Sequence, residues 1–296
     1  MKTIRHYLSL VKFSHSVFAL PFALQGAWLA AGGVPRPRVL ALVVVCAVAA
    51  RTAAMAFNRL VDRRVDAANP RTAGRELPAG TLGPGAVALL VVLSSALFVA
   101  GAFALNRLAG ALSPAVLALL LAYSFVKRFS WFAHLALGLA LALAPLGAWI
   151  AVRGDFAGDL APVLLLAAAV WTWVAGFDLI YACQDADFDR AAGLHSIPAR
   201  FGVARALAVS RGLHVVAVAC LATFAWRAEL SWIYALAVLG AGLLLFWEQS
   251  LVRADDLSRV DMAFFTLNGW VGVALFVGLV LDMSVLGGGA LAAEVA

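Results

Sequence analysis

Apolar residues run along this chain in long blocks broken by short polar connections. Nine blocks stand out, at residues 14–34, 38–57, 84–104, 110–126, 131–152, 160–182, 207–227, 230–248 and 263–282. A helix that crosses a bilayer needs about 20 mostly apolar residues, and nearly every block reaches that length. Runs such as 40–50 and 160–170 lack the apolar–polar alternation of an outer-membrane strand. The pattern predicts an all-α integral membrane protein of nine transmembrane helices, forming a single domain over 1–296. The fourth block is the shortest, so its edges are the least defined.

Composition agrees with that reading. Hydrophobic residues make up 64% of the chain and charged residues 13%, where a soluble domain carries about a quarter charged residues. The first block follows Lys2, Arg5 and Lys12. With eight further spans behind it, it reads as an uncleaved first helix rather than a signal peptide. Nine spans put the two termini on opposite sides. The amino terminus and loops 2–3, 4–5, 6–7 and 8–9 then share one side with 16 of the 22 Lys and Arg residues. The positive-inside rule places that side in the cytoplasm, in a multi-pass protein of the inner membrane. The net charge of +6 follows from that asymmetry and from handling anionic phosphate. No basic soluble face exists to bind nucleic acid. Cys46, Cys183 and Cys220 show no metal-site spacing and read as packing residues.

Polarity concentrates in two of the cytoplasmic loops, which hold seven of the 16 acidic residues. The first contains Asn58, Asp62 and Asp66, followed by Arg71, Arg75, Glu76 and Pro78. The second contains Asp178, Tyr181, Asp185, Asp187 and Asp189, then His195 and Pro198. At about 100° per residue, Asn58, Asp62 and Asp66 fall within an arc of roughly 80° on a helix. Asp178, Asp185 and Asp189 cluster more tightly still, so each motif forms a polar stripe extending a membrane helix beyond the bilayer surface. Pro70 and Pro198 follow the stripes, where a helix can end. Like charges along one face destabilise a helix, and carboxylates near lipid cost more. A divalent cation removes both penalties. Oxygen ligands without histidine or thiol favour Mg²⁺, which takes one or two carboxylates and fills its shell with water and substrate phosphate. With Arg71, Arg75, Lys127 and Arg128 on the same side, the pair of stripes points to a diphosphate. A single DxxxD at a helix end is usually a solvated face; two of them, 123 residues apart on one side, are not. Arg63 and Arg64 read as positive-inside residues, Asp187 points off the stripe, and Asp255, Asp256 and Asp261 read as solvated loop.

These residues resemble the UbiA superfamily of intramembrane prenyltransferases across nearly the whole chain. Asn58, Asp62 and Asp66 match the family's N-x-x-x-D-x-x-x-D. Arg71-Thr72-x-x-Arg75-x-x-Pro78-x-Gly80 matches its R-T-x-x-R-P-L-P-x-G, with Glu76 in place of the usual proline. Asp178, Tyr181, Ala182, Asp185 and Asp189 match D-x-x-Y-A-x-x-D-x-x-x-D, and Tyr123-x-x-x-Lys127-Arg128 resembles Y-x-x-x-K-R. The resemblance implies nine helices around a central cavity with a lateral opening for a lipid tail. It implies that Asn58, Asp62, Asp66, Asp185 and Asp189 hold Mg²⁺ on a prenyl diphosphate, with the four aspartates serving catalysis. Arg71, Arg75, Lys127 and Arg128 would contact the diphosphate, with Tyr123, Asp178 and Tyr181 at the substrate. The reaction class it implies is electrophilic aromatic substitution. Diphosphate departs, the allylic cation is shielded from water, and an electron-rich ring carbon attacks.

The aromatic acceptor needs its own anchor. Arg51 is the one basic residue placed deep inside a span, which marks a functional site by default. It precedes Asn58 by seven residues and shares its helix face, about two turns deeper. A guanidinium there can bind an aromatic carboxylate bidentately; pairing with a nearby acid or snorkelling would explain it equally. The segment from Val11 to Pro21 and the Arg75-Glu76-x-Pro78 run resemble bacterial relatives of respiratory quinone synthesis. Those relatives act on 4-hydroxybenzoate or on 1,4-dihydroxy-6-naphthoate. Haem or homogentisate are other acceptors of the superfamily. His15 and His195 read as hydrogen-bonded structural residues. An organic-anion transporter would place its charges near the bilayer midplane on broken helices, whereas here they lie at helix ends. A phosphatidyltransferase would carry D-x-x-D-G, and a soluble-type prenyl synthase DDxxD; neither is present.

Overall fold

The computed structural model describes residues 6–7, 9–11 and 18–285. His15 and most of the stretch from Val11 to Pro21 lie outside the described residues. The helices are α1 (Leu20–Ala31), α2 (Pro37–Ala68), α3 (Pro84–Leu105), α4 (Arg107–Val126), α5 (Ala133–Arg153) and α6 (Ala161–Ala182). A 3₁₀ turn, Cys183–Asp185, leads into α7 (Ala186–Ala191) and α8 (Ile197–Phe201). The chain closes with α9 (Val203–Arg227), α10 (Trp232–Leu251), a π-helical segment Met262–Leu267 and α11 (Asn268–Val285). Among the described residues eight segments are long and apolar enough to cross a membrane, and the described part of the first apolar block forms the shorter α1. Nine apolar helical segments among the described residues thus answer the nine expected blocks, and the chain is an integral membrane protein.

Local chemistry sets the helix ends. Pro37 and Pro84 open α2 and α3, and Pro162 and Pro198 lie in the first turns of α6 and α8, where the missing N–H is not needed. Pro198 therefore starts a helix instead of closing the stripe. Gly32 and Gly154 end α1 and α5 in the left-handed region, at φ 63° and 79°, which suits glycine. Asn106 makes the corner between α3 and α4. Its Oδ1 accepts from Ala109 N at 2.8 Å, while Nδ2 donates to the Ile150 and Ala151 carbonyls at the end of α5.

The helices approach closely where side chains are small, as membrane packing requires. A Cβ on Gly26 would stand 2.2 Å from the Pro145 carbonyl oxygen, and one on Gly138 2.4 Å from that of Trp171. These contacts lock α1 against α5 and α5 against α6. The α9–α11 half is pinned by buried polar groups. Asn268 accepts from Trp173 Nε1 at 2.6 Å and donates to Glu248 Oε1 at 3.0 Å, joining α6, α10 and α11. Asp282 caps the start of α10, accepting from Ser231 N, Ser231 Oγ and Tyr234 N.

Helices α1–α6 surround a cavity of about 500 Å³. Arg51 and Tyr123 line one end, Phe156 and Leu160 the other, with Cys46 and Leu141 among the residues between. The two aspartate-rich loops lie at the Arg51 end.

Candidate functional site

The first motif sits on an uninterrupted helix. α2 continues through Asp66 to Ala68, so the spacing of four keeps Asn58, Asp62 and Asp66 on one face. Asn58 Nδ2 donates to Asp62 Oδ2 at 3.0 Å. Asp66 is buried, 2.6 Å from Arg75 Nη1. Past α2, Asn69 Oδ1 accepts from Arg71 N, and the Thr72 hydroxyl donates to the Asp66 carbonyl. That turn folds the basic residues back over the motif.

The second motif departs from the single helical stripe expected of it. The α-helix stops at Ala182, and the tighter 3₁₀ turn to Asp185 shifts the phase before α7 resumes. Three residues per turn replace 3.6, so the three aspartates meet different partners. Asp178 Oδ2 lies 2.6 Å from His134 Nδ1 on α5. Asp185 takes a bidentate pair from Arg71, through Nε at 2.9 Å and through Nη2, and accepts from Asn69 Nδ2 at 2.9 Å. Asp189, fully buried, accepts from Ser196 Oγ at 3.0 Å and lies 2.8 Å from Lys127 Nζ. That ammonium contact lacks the alignment of a hydrogen bond.

Charge pairs tie this end of the molecule together: Asp185 with Arg71 joins the two loops, Asp66 with Arg75 closes within the first, and Asp62 with Arg128 and Asp189 with Lys127 bind each motif to the end of α4. Arg71 Nη1 also donates to the Tyr181 hydroxyl at 2.6 Å, with the guanidinium 4.7 Å from the ring centre. Burial alone would lower the Arg71 guanidinium, but Asp185 and Tyr181 hold it above its ordinary value. Arg71 is thus a cation at every working pH. Arg63 donates to the Leu60 carbonyl on the exposed side, and Asp187 pairs with Arg190 in solvent. His195 contributes its backbone N–H to the Lys127 carbonyl at 2.8 Å.

Arg51 lines the cavity, and its buried Nε has no hydrogen-bond partner. Among the described residues it makes no ion pair, so pairing with an acid does not account for it. Tyr123 shares the cavity wall, with Arg51, Arg59, Asp62 and Asp178 all within electrostatic reach of its hydroxyl. Three residues outside the motif positions also belong to the site. Arg59 is buried 4.0 Å from Asp66, Asn69 ties Arg71 to Asp185, and His134 faces Asp178. The Asn69-Pro70-Arg71 run was a visible turn signal; His134 had none, because its partner lies 44 residues away.

Among the described residues no three carboxylate, imidazole or thiolate groups gather into a ready metal cage. The donors still fit Mg²⁺, which takes few protein carboxylates and completes its shell from water and phosphate. All the motif donors are hard oxygens. Among the described residues Asp66 Oδ2 is buried with no hydrogen-bond partner, and Arg59 Nη1 stands 4.0 Å off. Such an oxygen is costly unless something else binds it.

The UbiA prenyltransferase family model matches residues 19–270. A protein of Ectopseudomonas mendocina named 4-hydroxybenzoate octaprenyltransferase is 34% identical over 264 residues, covering 88% of this chain and 86% of its own. One of the same name from Citrobacter koseri is 32% identical over 259 residues, covering 88% of each. The apo structure of a UbiA homolog from Aeropyrum pernix superposes with a TM-score of 0.83 at 38% identity, covering 91% of this chain and 98% of the other. A UbiA homolog from Archaeoglobus fulgidus bound to GPP and Mg²⁺ shares the fold, with a TM-score of 0.75 at 21% identity over 95% of this chain and all of the other. With two aspartate-rich loops paired over the mouth of an apolar cavity and these likenesses along most of its length, the chain belongs to the UbiA prenyltransferase family and is an enzyme of prenyl transfer.

Proposed function

We propose that this enzyme moves a polyprenyl group from a prenyl diphosphate to a hydroxylated aromatic acid of the 4-hydroxybenzoate or 1,4-dihydroxy-6-naphthoate class, serving respiratory quinone synthesis. The observation that carries this is the placement of Arg51, without a partner among the described residues, in an apolar cavity beneath two loops crowded with paired carboxylates and cations. The loops suit a metal-bound diphosphate, the cavity a lipid tail, and Arg51 an aromatic carboxylate. The positive-inside count supports an inner-membrane enzyme with its amino terminus and motif loops in the cytoplasm.

Asn58, Asp62, Asp66, Asp185 and Asp189 would hold Mg²⁺. The chemistry Mg²⁺ supplies when bound is neutralisation of the charge that builds on departing diphosphate. Arg71, Arg75, Lys127 and Arg128 bind the phosphate oxygens. In the structure each is held by an aspartate, so the site is charge-balanced before substrate arrives, and binding exchanges one set of partners for another. The apolar walls between Arg51 and Phe156 take the tail and keep water from the allylic carbon. Arg51 fixes the acid's carboxylate through paired N–H donors. Tyr123, beside it, orients the ring. Arg51 sits about three turns of α2 deeper than Asp62, so the ring lies inward of the diphosphate.

The test uses purified protein with Mg²⁺, a radiolabelled prenyl diphosphate and each aromatic acid in turn. Label should move to one of the acids. Transfer to none of them overturns the reading.

A further inference from the structure

His134 sits in the first turn of α5, buried at 3% exposure. Its Nδ1 lies 2.6 Å from Asp178 Oδ2, while its Nε2 is also buried and meets no hydrogen-bond partner among the described residues. A ring whose Nδ1–H is given to a carboxylate carries its lone pair on Nε2. The dyad therefore presents an unengaged basic nitrogen, held in one orientation, inside the protein.

His134 lies one turn before Leu137 on the helix that forms one wall of the cavity, though neither it nor Asp178 lines the cavity itself. Viewed down α5, His134 and Leu141 lie about 20° apart, and Leu141 and Leu137 both line the cavity. Across from it on α6, Asp178 stands within electrostatic reach of the Tyr123 hydroxyl, as does Arg51. The His134–Asp178 pair thus stands beside the end of the cavity lined by Tyr123 and Arg51, where the aromatic acid is expected.

We propose that His134 Nε2 is the base that removes the ring proton, with Asp178 as its positioning residue; this rests on the aromatic-acid reading above. The step balances within the groups named. The ring's π electrons form the new C–C bond as the allylic C–O bond breaks and its pair leaves with diphosphate. The alkylated ring is then cationic, with hydrogen still on the alkylated carbon. Nε2 takes that proton, the C–H pair returns to the ring, and aromaticity is restored. The imidazolium that forms is stabilised by the Asp178 carboxylate, the role a buried aspartate plays beside a catalytic histidine elsewhere. The proton then passes from the imidazolium to released diphosphate or to water, and the base is regenerated.

The test follows transfer by the intact protein with Mg²⁺, prenyl diphosphate and the accepted acid, carrying deuterium at the carbon that is alkylated. In the wild type proton loss is fast and the isotope effect is near unity. In His134→Ala and His134→Gln, kcat should fall roughly 100- to 10,000-fold, the range for general base catalysis. The KM for prenyl diphosphate should hold, and a primary isotope effect should appear as proton loss becomes limiting. Added imidazole should restore turnover to the alanine variant. Full turnover in both variants, or slow turnover without an isotope effect, overturns the assignment. His134→Gln keeps a hydrogen-bonding group against Asp178, so it decides the matter if His134→Ala loses prenyl diphosphate binding through misfolding. A wild-type protein that transfers to no aromatic acid fails the proposed function, and the base assignment falls with it.

Discussion

Arg71 grips Asp185 across 114 residues of chain, donating through Nε at 2.9 Å and again through Nη2. This fork joins the loop after α2 to the turn after α6 and lays the guanidinium over Tyr181. Lysine carries the same charge but can neither make the fork nor stack on the ring. Arg71→Lys should therefore weaken prenyl diphosphate binding by about 1.5–3 kcal/mol, the worth of a hydrogen bond to a charged group. A titration with a non-reactive prenyl diphosphate analogue measures it, and unchanged affinity would show that Arg71 serves Asp185 alone.

Each motif carboxylate is already neutralised by a cation, so metal and diphosphate should depend on each other. Mg²⁺ alone would have to displace Arg71 or Arg75, and diphosphate alone would meet carboxylates. Together they should raise thermal stability well beyond the sum of the separate effects, reaching about 2.7 kcal/mol at a hundredfold excess over Kd. Chelation should abolish transfer, and Mg²⁺ should restore it. Additive shifts in melting temperature would contradict the exchange of partners.

Arg51→Ala should separate the two substrates. The acid loses a charge-assisted contact worth about 1.5–3 kcal/mol, which at 1.4 kcal/mol per decade is a rise in its KM of roughly 10- to 100-fold. The KM for prenyl diphosphate should move little. Equal effects on both would assign Arg51 to structure.

Gly26→Ala should destabilise the fold without touching the chemistry. The added Cβ meets the Pro145 carbonyl at 2.2 Å, a backbone atom that cannot swing aside. Overpacking of this kind costs about 1–3 kcal/mol. Thermal melts in detergent should show the loss, whereas wild-type stability would mean that α1 and α5 part easily.

Much of this was readable in advance because bilayer length is a strong constraint. The blocks ending at 104, 126 and 182 stop within a residue or so of Leu105, Val126 and Ala182. Arg51 stood out through isolation, since a lone cation in an apolar run has few explanations. The 3₁₀ turn at Cys183–Asp185 could not be seen, because the residue spacing is the same whether the helix runs on or tightens. Nor could the pairing of particular cations with particular aspartates, which depends on how four helix ends meet. His134 was hidden for the same reason. It gains meaning only when α5 and α6 pack together at Gly138 and bring Asp178 alongside.

α2 runs unbroken from Pro37 to Ala68 and carries both Arg51 and the first motif. At 1.5 Å per residue, Arg51 and Asn58 are about 10 Å apart along the axis, and Arg51 and Asp66 about 22 Å. The helix is a ruler: it fixes by covalent geometry how far the acceptor's carboxylate sits from the departing phosphate. One residue inserted between Arg51 and Asn58 would turn the two ends by about 100° against each other, leaving no register in which both could face the cavity. An acceptor of different length cannot be accommodated by stretching this helix. Redesign of acceptor size must work through α4, α5 and α6, whose side chains form the movable jaw against a fixed scale.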